Sequence, residues 1–367
     1  MNCPPLDAGN TPLWKELLTD REDLSWAGAS AGDRGFCFGT EDGAVFWTNF
    51  DGVQYGEPLI NAAFDDYEEA VNGIAFNAGR MVVTTRSGSA VWKNAEGKAS
   101  KRKAGRIGEG SHGVVAALNG AFFLPLNIGG LMSVYEETPS HYSTFVSNSQ
   151  AMDLNVYRAI SLTSPDGKQV VGIAARRGGV AAGFYKPGDV MGLTALVVPG
   201  ADIIDICPTG NPKFPTAVFT LTRDSGILIF RDVVTDRDPV TVRYEGILGV
   251  AYRIISAGEF VFVLTSRALH VIHNLVDYRN SEFRVNRRTP STSFKVEAVD
   301  MNIVGQRWLL LLTACGVLRL DLNELHEQLA SRFAEEISEP EPSYLREKVI
   351  IKRHNLDASR SEFALVK

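Results

Sequence analysis

Four charged residues recur at an almost constant interval: Arg158, Asp205, Arg253 and Asp300 are separated by 47, 48 and 47 residues. The two arginines lie in near copies of one pentapeptide, Tyr157-Arg158-Ala159-Ile160-Ser161 and Tyr252-Arg253-Ile254-Ile255-Ser256. If the chain is built of units of that length, the four stand side by side with alternating sign. Alternating guanidinium and carboxylate groups can satisfy one another, which charges leaving water require. They can also grip a polar ligand or a charged side chain of a partner. A register one residue off would turn them away from one another.

Other chemistry has less to work with. The six histidines, His112, His141, His270, His273, His326 and His354, show no metal-ligand spacing, so neither a metal nor another cofactor is expected. His270 and His273 lie three apart in a strand-like run, which sends them to opposite faces. No Gly-x-Ser-x-Gly elbow and no phosphate-binding glycine loop occurs, and no catalytic residue is assigned.

The units that would position the four charges are visible in the turns. Thr40-Glu41-Asp42-Gly43 leads to Trp47, and related turns recur at Gly88, Gly130, Gly179, Gly226, Ala268 and Gly316. The steps between them are 45, 42, 49, 47, 42 and 48 residues, with an apolar run before and after each turn. A period near 45 that carries a hairpin each time predicts a β-propeller. The fold expected is all-β, a seven-bladed propeller of four-stranded blades over residues 23–322, with Arg158, Asp205, Arg253 and Asp300 at one level of its central channel. Blades one to three offer Gly28, Gly73 and Val115 at that level.

The ends differ from the repeats. Residues 1–22 form a separate segment in which Thr11 to Leu18 fits either a short plugging helix or a strand that completes the last blade. In residues 323–367, Leu325, Leu329 and Phe333 share a helical stripe with Leu322, predicting an amphipathic helix from Asn323 to about Ile337 that could dock a partner. Glu339-Pro340-Glu341-Pro342 ends it, and Lys348 to Lys352 reads as a return strand, an outer strand for blade seven.

Composition sets outer bounds. A net charge of −6 does not suit a nucleic-acid binder, and no apolar run is long enough to span a membrane. Met1-Asn2-Cys3-Pro4-Pro5 lacks secretory features, so a soluble cytoplasmic protein is expected. Cys3, Cys37, Cys207 and Cys315 are too dispersed for a disulfide framework, and the last three read as buried small hydrophobes. The basic run Lys98, Lys101, Arg102, Lys103 and Arg106 reads as the guarded outer edge of blade two.

The hairpins Asp42-Gly43 through Trp47 and Ser87-Gly88 through Trp92 resemble those of the WD40-type propellers, as does the turn Ser164-Pro165-Asp166-Gly167-Lys168. The resemblance is degenerate: Thr48 follows Trp47 and Lys93 follows Trp92 where the family has Asp, and no Gly-His pair opens a blade. It implies a rigid, non-catalytic platform for other proteins, a scaffold or a subunit of a multiprotein complex. The alternative is a hydrolase or small-ligand sensor with a polar channel site. Propeller hydrolases that resemble this architecture often hold calcium on channel carboxylates, and Arg158 and Arg253 beside Asp205 and Asp300 would repel that cation.

Overall fold

The computed structural model describes residues between Trp14 and Leu329, with internal stretches omitted, the longest being 55–69 and 145–155. All but the first of its strands pair antiparallel with a chain neighbour, as short apolar segments joined by tight turns require. The result is seven small sheets taken in chain order. Their innermost strands are Leu24–Ala29, Val71–Asn77, Val115–Ala116, Val156–Thr163, Ile203–Pro208, Ala251–Ala257 and Ala298–Val304. Each lies against the next, and the last lies against the first.

The expectation of seven four-stranded blades is corrected. Among the described residues five sheets, the second and the fourth to seventh, are complete four-stranded blades with every strand at least four residues long. Among the described residues the first sheet has three strands, ending at Val45–Thr48. There the Asn49 side chain accepts the N–H groups of Asp51 and Val53, both at 2.9 Å, closing a local turn that brings Gln54 back to a single antiparallel bridge with Thr48. In the third sheet the inner and outer strands, Val115–Ala116 and Ser143–Thr144, are two residues each. Gly113, with φ +57°, precedes that inner strand, where a Cβ would come within 2.4 Å of the Gly73 Cα.

The fourth strand of the seventh sheet comes from the N-terminal segment. Trp14–Thr19 pairs antiparallel with Gly316–Asp321, so of the two readings of that segment the strand is correct. Gly316 makes the pairing possible: its φ is +137°, and a Cβ there would lie 2.0 Å from the Leu18 carbonyl oxygen. The outer position expected for Lys348 to Lys352 is thus taken, and those residues lie outside the described ones.

The repeating turn has a chemical cause. Thr40, Ser164 and Thr222 each donate a hydroxyl proton to the carboxylate two residues on, Asp42, Asp166 and Asp224. The Thr40 and Ser164 hydroxyls also accept the N–H of Ala44 (2.8 Å) and Lys168 (3.0 Å). Thr265 and Thr313 accept turn N–H groups in the same way. Hydroxyl and carboxylate side chains that fold back on the local backbone stabilise such turns.

Between sheets the facing strands are apolar, so the core is a series of layers. Ile160, Val170 and Val180 of the fourth sheet meet Ile206, Val218 and Phe230 of the fifth. Phe36, Phe38 and Leu24 of the first meet Val304, Leu310 and Val317 of the seventh. Strands covered on both sides are apolar at successive positions, as Val218–Thr222 is buried throughout. Cys37 and Cys207 are buried free thiols within these layers. Cys315 departs from the expectation of a buried strand thiol: it lies, half-buried, in the turn before Gly316.

Two compact units divide the chain at Leu322. Within the described residues the segment 322–329 is helical, in line with the Leu stripe, while Phe333 lies outside them.

Candidate functional site

The innermost strands share a backbone irregularity that places the four charges. A bulge or register shift precedes Arg158, Asp205, Arg253 and Asp300, in each case between that residue and the one two before it. The same shift precedes Trp26 and Gly73 in the first two sheets. Bulges re-aim the residue that follows them. Arg158, Asp205, Arg253, Asp300 and Gly73 therefore hold equivalent register positions in their sheets, and in the first sheet that position is held by Trp26, not Gly28.

The charges meet from blade to blade. Arg158 Nε stands 3.5 Å from Asp205 Oδ1, Arg253 Nη1 is 3.5 Å from Asp205 Oδ2, and Arg253 Nε is 2.8 Å from Asp300 Oδ1. Asp205, fully buried, accepts the N–H of Ile206 at 2.9 Å and of Ile254, on the next inner strand, at 2.8 Å. Asp300 likewise accepts the N–H of Met301 at 2.8 Å. Arg253 also donates from Nη2 to the Asn302 Oδ1 at 3.2 Å and the Met301 carbonyl at 3.4 Å. Asn302 passes the chain of bonds on by donating to the Ala27 carbonyl at 2.6 Å, across the seam between the last sheet and the first.

Tyr252 and Ser256 add further stitches from the same strand. The Tyr252 hydroxyl donates to the Ala298 carbonyl of the seventh sheet, and the Ser256 hydroxyl to the Pro208 carbonyl of the fifth. Asn302 and the two tyrosines were not found from the sequence as site residues. The Tyr-Arg pair repeated in two units was a usable signal for the tyrosines, whereas Ile160, Cys207 and Ile255 stand where the other units would have matched Asn302.

Burial sets the electrostatics of the row. It pushes the Asp205 carboxyl up to about 6, against the pull of Arg158 and the N–H groups of Ile254 and Ile206. It pushes Asp300 up to about 6 against the Met301 N–H and Arg158. The Tyr252 hydroxyl is raised by burial and by Asp300. Both carboxylates have arginine as their nearest charge, an arrangement that stabilises the ring and repels a divalent cation. Among the described residues no group of three or more His, Cys, Asp or Glu is arranged to hold a metal.

The row is closed in the middle and open at its ends. The Arg253 side chain is 3% exposed, against 18% for Arg158 and 20% for Asp300. Around the same end of the inner strands lie Tyr157 and Tyr252, half-buried, and the exposed apolar residues Val250 and Val299, 59% and 61% open. In the C-terminal segment Leu325 and Leu329 are buried.

No protein-family model matches the chain, and no curated protein matches it in sequence. Solved structures do resemble it in fold. A streptogramin B lyase superposes with a TM-score of 0.62 at 11% identity, covering 84% of this chain and 97% of that one. The WD40 repeats of RRP9 give 0.61 at 10% identity, over 86% and 98%. YCF48 bound to a D1 peptide gives 0.56 at 12% identity, over 87% and 99%. Likeness at such identity speaks to architecture alone, and it shows that this chain has the fold of a β-propeller.

Proposed function

We propose that the chain works by binding protein partners, as a non-catalytic scaffold or a subunit of a larger assembly. The observation that carries this reading is the spending of the channel charges on one another. Arg158, Asp205, Arg253 and Asp300 pair blade to blade and onto neighbouring main chain, so their first role is to hold inner strands together. Exposed Val250 and Val299 at the mouth supply apolar surface of the kind partners cover. Solved propellers of this fold include one with a peptide bound, and a lyase, so fold by itself leaves function to the site.

The test compares the wild-type chain with Asp205→Ala plus Asp300→Ala in isolations from native extract, below the melting temperature of both. A scaffold keeps its partners and loses only stability. Loss of function with the fold intact would instead favour the hydrolase or small-ligand sensor.

Cytoplasmic residence, expected from the sequence, belongs to this reading, and subcellular fractionation of the tagged chain tests it: recovery in the cytosolic fraction supports it and recovery elsewhere contradicts it. Among the described residues no helix is long and apolar enough to cross a membrane.

A further inference from the structure

Arg158 and Arg253 hold the same place in their sheets but are treated differently by the next sheet. Arg253 receives Asp300, the Met301 carbonyl and the amide oxygen of Asn302. Facing Arg158, the residue two places after the aspartate is Cys207, a buried neutral thiol, in the position of Asn302. Asp205 is itself shared with Arg253 and the Ile254 N–H. Among the described residues Arg158 therefore keeps one carboxylate contact, at 3.5 Å; its Nη1, like the Arg253 Nε, is buried without a hydrogen-bond acceptor, but its side chain is 18% exposed where that of Arg253 is 3%. A guanidinium that is partly desolvated, partly open and short of partners is suited to a carboxylate.

We propose that Arg158 receives a carboxylate side chain from an acidic segment of a protein partner, entering at the channel end where the inner strands begin. This rests on the partner-binding reading above. Tyr157 stands next to Arg158 at that end, and Tyr252, Val250 and Val299 belong to the same rim, so apolar residues flanking the acidic one fit the surface. The overall charge of −6 gives such a partner no long-range attraction, so recognition depends on local pairing at Arg158.

The test uses the full chain labelled at arginine Nε, with the Arg158 signal assigned through Arg158→Lys. Capped Leu-Glu-Leu and Leu-Gln-Leu peptides are titrated, with sodium acetate as a third probe. The proposal expects the Glu peptide to shift the Arg158 signal and the Gln peptide to bind at least about tenfold more weakly. It also expects Arg158→Gln to remove that preference while Arg158→Lys keeps part of it. Equal binding of the Glu and Gln peptides overturns the proposal, and that comparison needs no variant to fold. Acetate binding as tightly as the Glu peptide overturns the peptide source and points to a free small anion. In isolations from native extract, partners held equally by wild type and Arg158→Gln would sink this inference and leave the scaffold reading standing. A chain without partners would sink the scaffold reading itself.

Discussion

Asp205 is the residue on which most depends, because one buried carboxylate faces two arginines and two N–H groups from two strands. Asp205→Ala strands the nearly buried Arg253 and both N–H groups, and removing one partner of a buried pair costs about 3–5 kcal/mol. Urea unfolding should show a loss of that size, with Asp300→Ala, at the more open end, costing less. The pH dependence follows from the raised carboxyls. Asp205 and Asp300 titrate near 6 when folded and near the ordinary 3.8 when unfolded, so between those values the folded chain holds more protons. Their contribution to stability is full below about pH 4 and is lost as pH rises through about 6. Carboxyl carbon NMR should find the two aspartates titrating as a coupled pair near 6, and midpoints near 4 would contradict this. The four charges were legible because the Tyr-Arg pentapeptide and the 47-residue step mark equivalent places. The bulge before them was not, since Tyr157, Ile204, Tyr252 and Val299 sit there and no residue type advertises it.

At the level of elements, the ring depends on a seam between the last sheet and the first. Phe36 stands edge-on to Phe50 and Trp308, Arg307 and Arg319 lie over the Trp308 ring, and Arg319 donates to the Phe50 carbonyl. Phe36→Ala should cost about 3–5 kcal/mol, measured by chemical denaturation, as the loss of a fully buried aromatic does. The closing strand Trp14–Thr19 gives a second test. Gly316→Ala puts a methyl on the Leu18 carbonyl and should lower the melting midpoint and promote association through the freed strand edge. Hydrogen exchange confined to residues 14–19 and 316–321 would localise the defect. Hairpins could be read from the sequence because a Thr or Ser, an Asp two places on and a Gly form a local turn needing no distant partner. The turn at Asn49 could not, because Asn49 looks like any loop asparagine until its side chain is seen closing on Asp51 and Val53.

At the scale of the molecule, the expectation of seven four-stranded blades failed for a physical reason. The period of the turns counts units, whereas a complete blade also needs an outer strand, and outer strands carry the weakest signal, being half-exposed and short. What the five complete blades and two reduced sheets share is an inner strand tied to its neighbour, in four of them by charge. A ring held in this way is a rigid surface, and the central claim is that the surface serves protein partners. The most direct measurement is isolation of the tagged chain from its own cell extract at moderate salt, with co-isolated proteins quantified by mass spectrometry. The account predicts one or two proteins in stoichiometric amount, retained by the Asp205→Ala plus Asp300→Ala variant. A chain that elutes alone, or partners at trace levels only, would contradict it.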